Sequence, residues 1–428
     1  MKQNINQILK EVLIKANPSQ EEVSSINKFL KELINSFENE LKKLKINAKP
    51  FVGGSFAKGT MIKKGQYDVD LFIRFDEKYK NEEISRLTER VLKNVKQTKN
   101  FSVIHGSRDY FRVNVNSYFF IEIIPVKKVK NPKEAENITD LSYFHVDYIN
   151  KKLKTEKMLE EVRLAKAFCY AKKCYGAEGY INGFSGYSLE LLIIHYKSFL
   201  NFVKQVGKIK DKEVIDLEKY YKNKNEIMMN MNSAKITSPI ILIDPTYKER
   251  NALAALSKET FEHFRGECNK FIKNPTKESF EAKKIDFGRL MQNAKKRKDD
   301  FVLIKVETDK QEGDIAGSKL LKFYKHINME IEKFYKISNK EFEYDGKSSA
   351  NFLFVGKGEK ELILNGPEVN DKKNVVLFKR KHKKVIAKKG RTYAIEKFNK
   401  TLKQFIEEWK LINLEKMIGM HIANMDTN

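Results

Sequence analysis

The stretch that most constrains this chain is 68–75, Asp-Val-Asp-Leu-Phe-Ile-Arg-Phe. Its alternation predicts a β-strand. The two-residue period puts Asp68 and Asp70 on one face and Val69, Leu71, Ile73 and Phe75 on the other, toward a core. A third carboxylate, Glu122, sits inside Phe120-Ile121-Glu122-Ile123-Ile124. A charge embedded in such a run costs free energy unless something compensates it. Three carboxylates converging from adjacent strands would repel one another, and a pair of Mg²⁺ ions would resolve this, because hard cations take oxygen ligands.

Upstream lies Gly53-Gly54-Ser55, followed by Lys58, Lys63 and Lys64. Glycine lets backbone N–H groups curl around a phosphate, and the serine hydroxyl adds a donor. A phosphate cradle with three metal-binding carboxylates describes nucleotidyl transfer. Gly54, Ser55 and one metal would hold a triphosphate, the second metal would lower the pKa of an attacking hydroxyl, and pyrophosphate would leave in line. Each element alone has a plainer reading. An Asp-x-Asp is commonly a surface strand, a Gly-Gly-Ser a turn, and a buried Glu a salt-bridged core residue. Their order and strand context together favour the chemistry.

The periodicity predicts a mixed α/β, or α+β, chain. Two helices fill 1–46. A helix-flanked mixed sheet follows, with strands at 101–105, 110–115 and 119–126 and a helix over 81–96. Helices are expected over 156–173, 187–203 and 246–264, with a polar loop at 223–238. Beyond 266, a strand (301–306) and a helix (320–335) precede strands at 341–354 and 360–364 that could pair, and 394–412 reads as a helix. The domain expectation is a catalytic domain at 1–142, a helical central domain at 143–265 and an RNA-binding region at 266–428.

Of 428 residues, 83 are Lys or Arg and 57 Asp or Glu, a net charge of +26, which points to a polyanionic partner, nucleic acid before membrane. Three cysteines exclude a disulfide scaffold and a four-cysteine zinc site. No apolar run approaches the ~18 residues of a spanning helix, and residues 1–16 lack a signal-peptide core, so no membrane association and a cytoplasmic location are expected. Residues 372–391 hold ten Lys or Arg and no acid. Interleaved Val375, Val376, Leu377, Phe378, Val385 and Ile386 look like folded anchors, so Lys379, Arg380, Lys383 and Lys384 are candidates for an RNA phosphate cradle; a solvated lysine face is the plainer alternative.

Three further stretches narrow the reading: Asn182-Gly183-Phe184-Ser185-Gly186-Tyr187-Ser188-Leu189-Glu190-Leu191-Leu192; Asp244-Pro245-Thr246 with Arg250-Asn251-Ala252; and Asn365-Gly366-Pro367 with His382 downstream. With these the chain resembles the archaeal-type (class I) tRNA nucleotidyltransferases, the CCA-adding enzymes of the polymerase-β superfamily. The resemblance implies a polymerase-β-like palm, a helical central domain and an α+β tRNA-binding region. It implies template-independent addition of C, C and A to the 3′ end of tRNA from CTP and ATP, with two Mg²⁺ ions. By position, Asp68, Asp70 and Glu122 match the metal-binding carboxylates and Ser55 the phosphate-contacting serine. Lys166 and Tyr175 match residues at the triphosphate tail, His145 one near the sugar and phosphates, and Arg250 the arginine that reads the base. A guanidinium only donates, which suits the acceptor edges of cytosine and adenine and opposes guanine and uracil. The run from Phe184 to Leu192 is assigned core packing and no chemistry.

Two departures stand out. The third carboxylate is usually Asp in the family and is Glu122 here, and Ser107-Arg108-Asp109-Tyr110 replaces a Glu-His-Pro-Tyr segment near the growing 3′ end. Family members are commonly dimers, so a homodimer is compatible. The rival readings are another superfamily nucleotidyltransferase, making a cyclic or short oligonucleotide or a poly(A) tail, and a catalytically inactive RNA-binding relative.

Overall fold

The computed structural model describes residues 4–106, 108–359 and 361–427; Ser107 and Lys360, both used above, lie outside the described residues. The chain divides into two compact units, Met1–Lys283 and Lys284–Asn428.

The first unit opens with α1 (Ile5–Ala16) and α2 (Gln20–Lys43). The Ser19 side chain accepts from the Glu22 N–H and the Glu22 carboxylate accepts from the Ser19 N–H, a reciprocal cap that fixes where α2 begins. Ile26, Leu30, Leu33, Phe37 and Leu41 recur at helical spacing and are buried, so α2 lies along a sheet. That sheet comprises β1 (Ala48–Val52), β2 (Tyr67–Phe75), β3 (Phe101–Ile104), β4 (Tyr110–Asn114) and β5 (Phe119–Lys127), in the order β1-β2-β5-β4-β3. Only β2 and β5 run parallel; α4 (Asn81–Asn94) belongs to the connection between them. Val69, Leu71, Ile73 and Phe75 of β2 and Phe119, Ile121 and Ile123 of β5 are buried in the core under α2. The residues between them turn the other way. The Gly-Ser segment, expected as a turn, is a single helical turn, α3 (Gly54–Ala57).

The rest of this unit is helical, with one small sheet. The helices are α5 (Ser142–Lys152), α6 (Glu156–Ala171), α7 (Gly186–Tyr196), α8 (Phe199–Val206), α9 (Lys224–Asn230) and α10 (Lys258–Lys273). The helix expected over 187–203 is two, because Lys197 takes a left-handed conformation and Ser198 caps α8. The expected loop at 223–238 contains α9, whose Ile227 packs with Met231, Ile241 and Ile243. The helix expected over 246–264 starts only at Lys258. Before it, β7 (Ile240–Asp244) and β8 (Tyr247–Asn251) form a hairpin, with β6 (Glu213–Ile215) beside β7. The Asp244 carboxylate accepts from both the N–H and the hydroxyl of Thr246, tying the reversal that breaks the helical reading. The expected boundary at 265/266 falls inside α10, whose Phe264, Cys268 and Phe271 belong to the helical core. Cys169, Cys174 and Cys268 are free and buried.

The second unit holds α11 (Phe287–Arg297), β9 (Asp300–Thr308), α12 (Asp314–Glu332), β10 (Tyr335–Tyr344), β11 (Ser349–Gly358), β12 (Glu361–Glu368), α13 (Lys372–Lys381), β13 (Val385–Lys388), β14 (Arg391–Lys397), α14 (Leu402–Ile412), α15 (Leu414–Gly419) and β15 (Ile422–Thr427). One sheet runs β10-β11-β9-β15, with Leu320, Phe323 and Ile327 of α12 and Ile406 of α14 in its core. The strand expected over 341–354 is the β10–β11 hairpin. Its expected partner at 360–364 instead pairs with β14, in a second sheet ordered β12-β14-β13. The helix expected over 394–412 is β14 followed by α14, which begins at the Thr401 cap.

Candidate active site

Strand register assembles the carboxylates. Asp70 lies opposite Glu122 across the parallel β2–β5 pair, and Glu122 lies opposite Arg112 across the antiparallel β4–β5 pair. Residues opposite each other in a ladder share a face, so Asp70, Glu122 and Arg112 form one row, with Asp68 two residues earlier on the same face. Arg112 donates to Glu122 at 3.0 Å and stands over the Phe120 ring at 4.6 Å. Lys64 lies 3.1 Å from Asp68. Burial, then the charges of Asp68 and Glu122, push the Asp70 carboxyl up to about 8. Burial also raises Glu122, against the pull of Arg112.

Gly54 abuts this row. Its φ is +60°, and a Cβ there would stand 1.7 Å from the Asp70 carboxylate, so only glycine fits. The Gly53 N–H donates to the Asp70 carbonyl, which ties the start of α3 to the carboxylate strand. Ser55 is part-exposed at the head of this turn.

Lys58 and Lys166 lie below the surface. Lys58 donates to Glu190 at 2.6 Å, and Lys166 donates to Glu190 at 2.9 Å and to the Thr60 hydroxyl at 2.8 Å; Thr60 in turn donates to Glu190 at 2.6 Å. Glu190 is fully enclosed. Burial would raise its pKa, but the charges of Lys166 and Lys58 take it down to about 2. The run assigned core packing alone therefore carries the carboxylate that holds two candidate nucleotide-binding lysines. Tyr175 is near the same place: a Cβ on Gly186 would lie 3.0 Å from its hydroxyl and 3.5 Å from the Lys166 ammonium, so glycine at the start of α7 permits this approach.

His145 and Arg250 meet on another buried carboxylate. Asp244 accepts from Arg250 at 2.5 Å, from His145 Nε2 at 3.2 Å and from the Tyr187 hydroxyl at 2.9 Å. The His145 and Tyr187 rings stack with centroids 4.0 Å apart. Burial lowers the His145 pKa despite this carboxylate, and in a neutral ring the bond to Asp244 places the proton on Nε2. Arg250 sits on β8 and pairs with Asp244.

Arg108, part of the departure at the 3′-end segment, is drawn inward. Its guanidinium bonds Asp140 at 2.5 Å and Asn81 at 2.5 Å, which fastens residues 138–141 to the sheet.

In the second unit, Lys379 and Arg380 on α13 and Lys383 and Lys384 after it are exposed. Their apolar neighbours are not all anchors. Val376, Leu377 and Ile386 are exposed, and Phe378 makes the clear contact, against Gly366 and the His382 ring. No helix among the described residues is long and apolar enough to cross a membrane.

Among the described residues, no three His, Cys, Asp or Glu side chains are gathered closely enough to hold a metal; Lys64 and Arg112 engage Asp68 and Glu122. The donor chemistry nevertheless fits a hard divalent cation: carboxylate oxygens from adjacent strands, with Asp70 short of positive charge.

Residues 160–281 match the family model of the tRNA nucleotidyltransferase second domain, and residues 1–143 match that of the Second Messenger Oligonucleotide or Dinucleotide Synthetase domain. The CCA-adding enzyme of Nanoarchaeum equitans is 37% identical over 285 residues, 66% of this chain and 67% of that one. That of Methanocaldococcus jannaschii is 29% identical over 403 residues, 91% of this chain and 87% of that one. Among solved structures, Cid1 in complex with its short product ApU superposes with a TM-score of 0.50 at 14% identity, over 65% of this chain and 98% of that chain, a likeness of fold. The chain is a nucleotidyltransferase of the polymerase-β superfamily, with the mixed α/β architecture expected for it, and it belongs to the archaeal-type CCA-adding enzymes.

Proposed function

We propose that this chain adds C, C and A, without a nucleic-acid template, to the 3′ end of tRNA, using CTP and ATP. What carries this reading over a small-product synthase is the likeness to the Methanocaldococcus jannaschii CCA-adding enzyme, which spans 91% of this chain. A cyclic or short oligonucleotide needs no long RNA platform, and the likeness covers more than the catalytic sheet.

In this reading Asp68, Asp70 and Glu122 hold the divalent cation, Mg²⁺, which when bound neutralises triphosphate charge and activates the attacking hydroxyl. Gly54 and Ser55 present donors to the phosphates beside Asp70. Lys58 and Lys166, anchored on Glu190, supply fixed positive charge behind the site, and Tyr175 closes it next to Gly186. His145 is held on Asp244 through Nε2. Arg250 keeps the rest of its guanidinium for the acceptor edge of the incoming base. Lys379, Arg380, Lys383 and Lys384 offer exposed charge to tRNA phosphates.

The test is incubation with a tRNA lacking its 3′ CCA and each nucleoside triphosphate in turn. CTP alone should extend the tRNA, ATP should follow only after C addition, and UTP and GTP should fail. The match of residues 1–143 to the second-messenger synthetase model supports the second reading. A cyclic or linear dinucleotide formed without RNA, or a homopolymeric tail, would replace the first reading with it.

A further inference from the structure

Asp244 has no access to solvent, whereas His145 and Arg250 around it keep 13% and 22% of their side-chain surface. It cannot touch a nucleotide, but it touches three groups that border the site. Its oxygens accept from five donors: the Thr246 N–H, the Thr246 hydroxyl, the Tyr187 hydroxyl, His145 Nε2 and Arg250. Oδ2 takes Arg250 and His145, while Oδ1 takes Tyr187 and Thr246. The guanidinium also sits 5.9 Å from the Tyr187 ring centroid, and that ring stacks on His145. One charge thus sets the direction of Arg250, the tautomer of His145 and the ring on which both bear.

We infer that Asp244 is a positioning residue for base selection, aiming Arg250 by holding one edge of its guanidinium while Tyr187 and His145 fix the plane. The inference rests on the reading of Arg250 as the group that meets the base. A flexible arginine would lose rotamer entropy on binding and could tilt toward the carbonyls of uracil or guanine; one clamped on a buried carboxylate presents a fixed set of donors.

Asp244→Asn tests this at nearly constant shape. An amide has one acceptor oxygen and one NH₂: on the Oδ2 side the NH₂ faces Arg250 and on the Oδ1 side the Thr246 N–H, both of which only donate, and in either orientation the charge that holds the guanidinium is gone. Discrimination of CTP and ATP against UTP and GTP on a tRNA lacking CCA should fall on the order of ten- to a hundredfold, as for loss of a hydrogen bond to a charged group. The loss should appear mainly in KM, the signature of a contact made equally in ground and transition states. The double variant Asp244→Asn/Arg250→Ala should discriminate no worse than Arg250→Ala alone, because the two residues act as one unit. Full discrimination in Asp244→Asn beside impaired Arg250→Ala, or multiplicative losses in the double variant, overturns the positioning role. Full discrimination in Arg250→Ala overturns the base-reading role beneath it, a separate result. Thermal unfolding shows whether Asp244→Asn is folded. If it is not, Asp244→Glu decides the question: it keeps the charge but displaces it by a methylene, so partial loss of discrimination supports the role and unchanged discrimination overturns it.

Discussion

Two kinds of carboxylate stand within one unit. Glu190 and Asp244 are enclosed and saturated: Glu190 by Lys58, Lys166 and Thr60, and Asp244 by five donors. Their pKa values lie well below the ordinary carboxylate range. Asp70 and Glu122 are instead raised by burial, Asp70 with the charges of Asp68 and Glu122 beside it and Glu122 against the pull of Arg112. Carboxylates enclosed by cations and donors thus anchor the fold, whereas under the proposed function Asp70 and Glu122 would take an arriving cation. Exposed charge in the second unit, as at Lys379, Arg380, Lys383 and Lys384, is a third case, open to solvent.

The sharpest way to break this contrast is Asp70→Asn. If Asp70 serves an arriving cation, transfer should fall by at least roughly 10³-fold, while thermal stability is kept or raised because an amide has no charge to desolvate. Near-normal incorporation of labelled CTP by the purified variant would place the catalytic charge elsewhere. Glu190→Gln should do the reverse to the fold. Two ammonium groups would be left buried around a neutral amide, at a cost of about 3–5 kcal/mol in urea unfolding. Glu190 ionises at about 2 in the folded chain against 4.5 when free. Its contribution is therefore complete above about 4.5 and lost as the pH falls toward 2. The stability gap between parent and variant should narrow across that window, and a gap constant with pH would exclude ionised Glu190 as its source.

The exposed lysines sharpen the comparison from the other side. Changing Lys379, Arg380, Lys383 and Lys384 together to Gln should leave unfolding within about 0.5 kcal/mol of the parent. If most of them meet phosphates, the log–log salt slope of tRNA binding should flatten by about two units, at roughly 0.7–0.9 per lost contact. An unchanged slope would put the RNA elsewhere. The smallest effect belongs to a local cap. Ser19→Ala removes the acceptor for the Glu22 N–H at the start of α2 and should cost about 1 kcal/mol in thermal unfolding without altering nucleotide discrimination.

The legible parts of this molecule are those in which the signal and the structure share a short stretch of chain. The period of 68–75 placed Asp68 and Asp70 on one face, as β2 does. Glu122 stood out because apolar neighbours on both sides mark a buried strand. The i, i+3 and i, i+4 stripe of α2 was likewise visible. The hairpin of β7 and β8 was not, because Ala252 to Leu256 and the residues around them resemble a helix face, and the hydrogen bonds from Thr246 to Asp244 decide otherwise. The run from 394 to 412 misled for a related reason: Ala394 is buried by pairing with β12 and β13, a partnership no helical window can register.

Glu190 and Asp244 mark the limit most clearly. Each looked like an ordinary member of an apolar or turn segment. Lys58 lies 132 residues from Glu190 and His145 lies 99 residues from Asp244. Residue type, order and period are properties of neighbours along the chain, and they sufficed for the strand faces, the carboxylate row and the family. Whether a carboxylate is anchored or unsatisfied depends on which cations and donors reach it through space. Packing alone brings those groups together, and so only the folded chain decides which acids hold the site in shape and which await a substrate.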